Sequence, residues 1–270
     1  MKGNKDEGFA LTENLHEQNK IFDPETERLD KINESLTLIQ RLAGLTFGTD
    51  AYLLAAFAKK FPSGQAADLG AGTGVISLLC AVRKKYSHIY SVELQKEYAS
   101  LCERNIALNS LSDMISVKNS DVREISSCDT EGELAAVLTN PPYMRASSGR
   151  ENPSAEKNIA RREVYGTISD FCAAAARLLK SGGMFYAVYR PERLAELICA
   201  MRDVRIEPKR LVFVYPDVCS PPSLILVEGR RDGAPSVKIS RPLIIYKSGT
   251  REYTEDMERI YSEFSLEHLF

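Results

Sequence analysis

Apolar and polar positions fall in blocks along this chain, and the blocks predict a regular succession of strands and helices. Residues 1–24 are polar without a period, which predicts a mobile leader. Residues 25–36 predict a short helix or an entry segment. Leu36-Thr37-Leu38-Ile39-Gln40 reads as a strand, with Leu45-Thr46-Phe47 as its hairpin partner and Gly44 in the turn. Good helix formers at 51–58 follow Gly48-Thr49-Asp50, so a helix is expected there, capped by Thr49 or Asp50 and ended by Phe61-Pro62-Ser63-Gly64. Residues 66–69 and 75–82 predict a strand and a helix on either side of a glycine loop. Strand 88–92, helix 96–109, strand 114–117 and the apolar run 134–139 continue the alternation.

The second half continues it with a helix at 168–180 closed by Ser181-Gly182-Gly183. A strand at 184–189 and a helix at 192–202 come next. Strands at 205–215 and 224–229 are expected to pair antiparallel at the sheet edge, followed by a short strand at 242–246 and a terminal helix at 254–264. Strands alternating with helices specify an α/β fold with a doubly wound sheet. No composition shift marks a boundary, so residues 25–270 are expected to form one domain.

The candidate chemistry centres on Asn140-Pro141-Pro142-Tyr143. The prolines end the preceding strand, because neither can donate to a ladder. The four residues thus fall at the carboxyl end of a strand, where open α/β sheets bind ligands. An amine conjugated to a ring or carbonyl is a poor nucleophile, since its lone pair is delocalised. The Asn140 side-chain oxygen and the Pro141 carbonyl are suited to accept its two N–H bonds and turn the lone pair outward. Tyr143 offers a face for a planar group, worth ~1–3 kcal/mol for a nucleobase. A plain proline-rich turn with a half-buried Tyr explains the four residues equally well in isolation.

Three other groups narrow the choice. Asp68-x-Gly70-x-Gly72-x-Gly74 joins a strand to a helix N-terminus, where glycines let a ligand approach the backbone. The spacing is not Gly-x-Gly-x-x-Gly, and Asp68 disfavours a pyrophosphate, so a dinucleotide oxidoreductase is disfavoured. Asp68 suits a ligand carrying an ammonium and a sulfonium. Glu93 ends the next strand roughly 20 residues past the glycines, as an acceptor for ribose hydroxyls does; helix capping is its alternative. Asp121, beyond the third strand, is placed to accept from an adenine amino group or to stand as a turn residue. Thr49 and Asp50 cap a helix, or their loop also touches the ligand.

Residues 144–163 form a long polar stretch rich in Ser, Gly, Asn and Arg. A structureless loop of ~20 residues is usually functional or disordered, and Arg145, Arg150, Lys157, Arg161 and Arg162 outnumber its acids. A flap over the pocket that contacts phosphates is expected, with a solvated loop as the alternative. Arg190 falls at a strand end on the Asn140 edge.

Charge fits that picture. The chain of 270 residues has a net charge of −2. Residues 1–34 hold five Lys/Arg against nine Asp/Glu, and 251–270 hold two against six, so 35–250 carries −2 + 8 = +6. A basic body with acidic ends suits a phosphate backbone, with chance asymmetry and solvated termini as the alternative. The six cysteines are scattered singly and no Cys-x-x-Cys is present, which points to reduced thiols in a cytoplasm and to no metal site. No apolar run approaches the roughly 18 residues of a membrane span, and the polar N-terminus lacks a signal-peptide core.

The set Asp68/Gly70/Gly72/Gly74, Glu93, Asp121 and Asn140-Pro141-Pro142-Tyr143, in this order, resembles the S-adenosylmethionine-dependent amino-methyltransferases. That resemblance implies a Rossmann-like, seven-stranded, mostly parallel sheet with a reversed last hairpin, the class I methyltransferase fold. It implies that Asp68, the glycines, Thr49 and Asn140 hold S-adenosylmethionine, with Glu93 on the ribose and Asp121 and Val122 at the adenine. Asn140, Pro141, Pro142 and Tyr143 form the catalytic motif, and Tyr143, Arg145, Arg161, Arg162 and Arg190 meet the substrate. Within the superfamily the chain is most similar to the bacterial tRNA (adenine) N6-methyltransferases that modify the adenine beside the anticodon of a valine tRNA. Phe47-Gly48-Thr49-Asp50-Ala51, Ala160-Arg161-Arg162-Glu163, Tyr189-Arg190-Pro191-Glu192-Arg193-Leu194 and Arg251-Glu252-Tyr253-Thr254-Glu255 carry this likeness; Arg162 stands where His is more usual. Methylation of a glutamine in a release factor, methylation of guanine in ribosomal RNA, and a non-catalytic RNA-binding or cofactor-sensing protein remain alternatives.

Overall fold

A computed structural model describes residues 22–43, 48–142 and 165–270. Its first elements are β1 (Glu27–Asn33) and β2 (Leu36–Arg41), an antiparallel pair with Leu29 opposite Ile39. This corrects the expectation of a helix or entry segment over 25–36, because the partner of β2 lies upstream. The β1 residues are mostly half-buried and several are charged, so no apolar stripe marks the strand. Residues 44–47, the expected partner and turn, lie outside the described residues.

Next come α1 (Thr49–Phe57), β3 (Phe61–Leu69), α2 (Val75–Val82), β4 (Tyr86–Glu93), α3 (Lys96–Leu108) and β5 (Ile115–Asn119). Two expectations shift here. The N-cap of α1 is Gly48, without a side-chain cap bond, and Asp50 instead accepts from Ala51 N at 2.9 Å. Pro62 and Gly64 belong to the start of β3, where the pairing with β4 slips between Phe61 and Gln65. The last turn of α1 is satisfied by Lys85, whose ammonium donates to the carbonyls of Ala55, Ala56 and Ala58.

The chain continues with β6 (Leu134–Thr139), α4 (Ile168–Leu178), β7 (Leu179–Tyr189), α5 (Leu194–Asp203), β8 (Ile206–Tyr215), β9 (Leu224–Arg231), β10 (Lys238–Ile239), β11 (Leu243–Ile244) and α6 (Glu255–Glu263). Thr167 and Asp170 form a reciprocal capping box on α4. That helix stops at Leu178, and Ser181-Gly182-Gly183 lies within β7 rather than closing the helix. Gly183 is small because a Cβ there would stand 2.9 Å from the Lys180 carbonyl oxygen and 3.2 Å from that of Leu134. It serves strand packing, which leaves the same sequence mark as a cap.

The large sheet runs β10-β8-β9-β7-β6-β3-β4-β5, with β11 also on β8. Seven long strands form the expected mostly parallel sheet, and β9 is antiparallel to both neighbours, as a reversed last hairpin requires. The β8/β9 pair forms as expected, but β9 lies inside it, and the outer side of β8 holds two-residue β10 and β11. Side chains alternate between two cores. One packs α1, α2, α3 and α6, and the other packs α4 and α5. Register aligns the strand ends: Leu69 stands beside Val92 and Thr139, Glu93 beside Asn119, and Thr139 beside Ala187. The sheet builds outward in opposite directions from β3 and β6, so these two strands flank its switch point.

Candidate active site

The switch point collects the sequence-predicted groups at the carboxyl ends of β3, β4 and β6. Beyond β3 the chain folds over the end of β4: Gly70 N and Ala71 N both donate to Val92 O, at 2.9 and 3.0 Å. Gly74, at φ +83°, caps α2, and a Cβ on it would stand 2.4 Å from Cys102 Sγ. Gly72, at φ +55°, has no heavy atom of the other described residues within 4 Å of its Cβ position. The loop is therefore packed at Gly74 and open at Gly72.

Two carboxylates border the loop. Glu93 is 6% exposed, and its oxygens accept from Gly72 N and Gln95 N, each at 2.8 Å. Burial raises its pKa despite those bonds. Asp68 is fully buried on the α2 side of β3, where Oδ2 accepts from Ser77 N at 3.2 Å and Ser77 Oγ at 2.9 Å. Ser91 Oγ donates on to Ser77 Oγ at 2.7 Å. Asp68 Oδ1 has no partner among the described residues, and burial pushes the carboxyl up to about 7. A buried carboxylate oxygen without a donor suits a cationic ligand group; Glu93, ending a parallel strand beside the loop, suits a diol.

Asn140 follows β6. Thr139 Oγ1 donates to Leu69 O at 2.9 Å and ties the ends of the two central strands together. Asn140 Nδ2 donates to Asp50 Oδ2 at 3.1 Å. Pro141 is buried and Pro142 exposed, and both line a cleft with Thr167, Ile168, Tyr189 and Arg193. The Arg193 guanidinium lies 5.1 Å from the Tyr189 ring centroid.

The other expected residues are less concentrated. Thr49 opens α1, one residue from Asp50. Asp121 lies two residues beyond β5 and turns onto Arg123, whose Nε donates to both of its oxygens at 2.9 and 3.0 Å. Hydrogen bonding from Arg123 lowers its pKa. Val122 is buried, with its carbonyl held by Arg177 Nη2 at 2.7 Å. Arg190 follows β7, and its Nη1 donates to Ser223 O at 3.2 Å. Tyr143, Arg145, Arg161, Arg162 and the whole expected flap at 144–163 lie outside the described residues.

Two further residues shape the site: Asp50, expected as a helix cap or in a loop that touches the ligand, and Asn105, which the sequence did not single out for chemistry. Asp50 holds Asn140. Asn105, inside an amphipathic helix, is buried; it donates to Ile39 O at 3.1 Å and Thr73 O at 3.0 Å, and accepts from Ile39 N at 2.7 Å. It ties the β1–β2 hairpin to the glycine loop. Neither contact has a local sequence signature. Among the described residues there is no cluster of metal-ligating side chains and no helix long and apolar enough to cross a membrane. The cysteines are free thiols.

The chain is similar to known proteins in sequence and in fold. Residues 43–204 match the family model described as the methyltransferase small domain. The tRNA1(Val) (adenine(37)-N6)-methyltransferase of Dyadobacter fermentans is 31% identical over 156 residues, 58% of this chain and 63% of that protein. Its counterpart from Parabacteroides distasonis is 26% identical over 219 residues, 81% of this chain and 90% of that one. A predicted O-methyltransferase of Agrobacterium tumefaciens has the same fold, with a TM-score of 0.63 at 23% identity, covering 80% of this chain and 97% of the other. The fold is that of the class I methyltransferases, a class whose methyl donor is S-adenosylmethionine. Within that class, the chain belongs to the methyltransferase small domain family.

Proposed function

We propose that residues 25–270 act as one domain that methylates the exocyclic amine of an adenine in RNA, with a tRNA near its anticodon as the substrate and the cytoplasm as the place of action. The observation that carries this reading is the adjacency of Asn140-Pro141 to the glycine loop, across the paired ends of β6 and β3. The names of the curated relatives supply the substrate class.

Bound S-adenosylmethionine supplies an electrophilic methyl group on a sulfonium. Asp68 Oδ1, the buried acceptor without a donor, meets the ammonium of its methionine end, and the open side of Gly72 admits it to the backbone. Thr49 borders the same end. Glu93 accepts from the ribose hydroxyls, and Asp121 and Val122 border the adenine. Asn140 Oδ1 and the Pro141 carbonyl accept the two N–H bonds of the target amine, which directs its lone pair at the methyl carbon. Pro142 keeps the turn rigid, and Tyr143 stacks on the base. The bound cofactor would supply the methyl carbon and retain the carbon–sulfur electron pair on its sulfur, while Asn140 and Pro141 would hold the amine nitrogen in line with that carbon and leave its proton to solvent. Alignment is the enzyme's main contribution. The base leaves its stack first, which costs less in a loop than in a duplex. Arg145, Arg161, Arg162 and Arg190 meet the phosphates.

The test is methyl transfer from labelled S-adenosylmethionine to total tRNA and, in parallel, to a cell protein extract. Label in tRNA, recovered as methylated adenosine and lost with Asn140→Ala, is the expected result. The variant should lose ~2–4 kcal/mol of transition-state stabilisation, by analogy with one oxyanion donor. Label in protein alone would replace this reading with glutamine methylation.

A further inference from the structure

We infer that Asp50 is a positioning residue for methyl transfer: it fixes which edge of the Asn140 amide faces the target amine. This rests on the role proposed above for Asn140.

The geometry is short-range and chemically one-sided. Asp50 Oδ2 accepts from Asn140 Nδ2 at 3.1 Å, across 90 residues of sequence. An ionised carboxylate only accepts, so the amide edge that meets it must be the NH2. The carbonyl edge is then turned away from Asp50. A target amine brings N–H donors and needs that oxygen. Rotated by half a turn, the same amide would present NH2 to NH2 and reject the nucleophile. Asparagine has two such orientations of similar shape, and a neighbour of fixed polarity is what selects one.

Asp50 is itself fixed. It occupies the first turn of α1, where the helix dipole favours a negative charge, and its Oδ1 accepts from Ala51 N at 2.9 Å. The helix is buried from Ala51 to Phe57, and Lys85 satisfies its last carbonyls. The carboxylate is therefore carried on a rigid element, as precise positioning requires. Its charge has a second effect. A hydrogen bond to an ionised acceptor polarises the amide and makes its oxygen a stronger acceptor, by ~10–30% per bond in a chain. The target nitrogen becomes positive as it attacks, so this polarisation favours the transition state over the bound substrate.

Two substitutions separate the effects. Asp50→Asn can still offer an oxygen to Asn140 Nδ2 but carries no charge. Asp50→Leu offers neither. The expected result is a fall in kcat of ~10-fold for Asp50→Asn and ~100-fold for Asp50→Leu, with KM for S-adenosylmethionine and for tRNA unchanged. In an Asn140→Ala background, Asp50→Leu should cost less than ~3-fold, because the group it positions is gone. Equal losses in both backgrounds, or a rise in KM for S-adenosylmethionine without a fall in kcat, would overturn the proposal. A readout without substrate keeps this apart from the RNA reading. The Asn140 side-chain amide, observed by nitrogen-15 NMR and assigned with Asn140→Ala, should shift in Asp50→Leu while the backbone spectrum of the core is retained. An unmoved amide would sink the contact even if the enzyme methylates tRNA. A shifted amide in a protein that labels no RNA would leave the contact standing and remove the substrate.

Discussion

The backbone N–H of Gly72 donates to Glu93 Oε2 at 2.8 Å, so the loop that ends β3 is held by the carboxylate that ends β4. One side chain thereby sets the shape of the loop and faces the place assigned to the ribose. Glu93→Ala should weaken S-adenosylhomocysteine binding by ~1.5–3 kcal/mol, the usual scale for hydrogen bonds to a charged group. That is roughly 10- to 150-fold in Kd by calorimetry. Glu93→Gln keeps one acceptor and should lose less. Full affinity in Glu93→Ala would remove this residue from the cofactor site.

Gly74 and Gly72 both have positive φ but differ in surroundings. A methyl at Gly74 meets Cys102 Sγ at 2.4 Å, whereas a methyl at Gly72 meets nothing within 4 Å among the described residues. Gly74→Ala should therefore cost ~3 kcal/mol, the sum of left-handed strain and overpacking. Gly72→Ala should show only the strain, ~1–2 kcal/mol. Urea unfolding of the two variants compares them. Adding Cys102→Ala to Gly74→Ala should recover part of the loss, and an equal cost at both positions would contradict the packing argument.

What could be read in advance follows from where the information lies. The placement of the glycine loop, Glu93 and Asn140-Pro141 at strand ends is legible because strand period, turn chemistry and residue type all agree within a few neighbouring positions. The β1–β2 hairpin was misread because β1 is half-buried and charged, and its partner strand is held by the side chains of Asn105 on α3 and of Asn109, which caps that helix. Ser181-Gly182-Gly183 was misread because a glycine that admits close strand packing looks like one that ends a helix. The Asp50–Asn140 bond was invisible for a simpler reason: it joins positions 90 residues apart, and each end has an ordinary local role.

Asn105 offers a test of how far the hairpin supports the loop. Its amide makes three bonds, to Ile39 N, Ile39 O and Thr73 O, without contact with solvent. Asn105→Leu leaves those backbone groups buried and unpaired, which should cost ~2–4 kcal/mol in urea unfolding. Because Thr73 lies in the glycine loop, cofactor affinity should fall as well. Loss of stability with full affinity would show that the loop holds its shape without the hairpin.

Asp68 predicts a pH dependence whose sign can be worked out. Burial pushes its carboxyl to about 7 from an ordinary 3.8, so between these values the folded protein binds more protons than the unfolded chain. Stability contributed at this position therefore falls as pH rises from about 4 to about 7, and levels off above. A bound ammonium reverses the preference, because it favours the ionised carboxylate. Binding of S-adenosylhomocysteine should then release a proton below pH ~7, with affinity rising by up to ~10-fold per pH unit toward that value and flattening beyond it. Glu93, also raised by burial, adds a contribution of the same sign, which Glu93→Gln removes. Calorimetry in buffers of different ionisation enthalpy counts the protons directly. Asp68→Asn should abolish the release that persists in Glu93→Gln; proton release surviving in the Asp68→Asn, Glu93→Gln double variant would place the titrating group elsewhere and leave Asp68 a purely structural partner of Ser77.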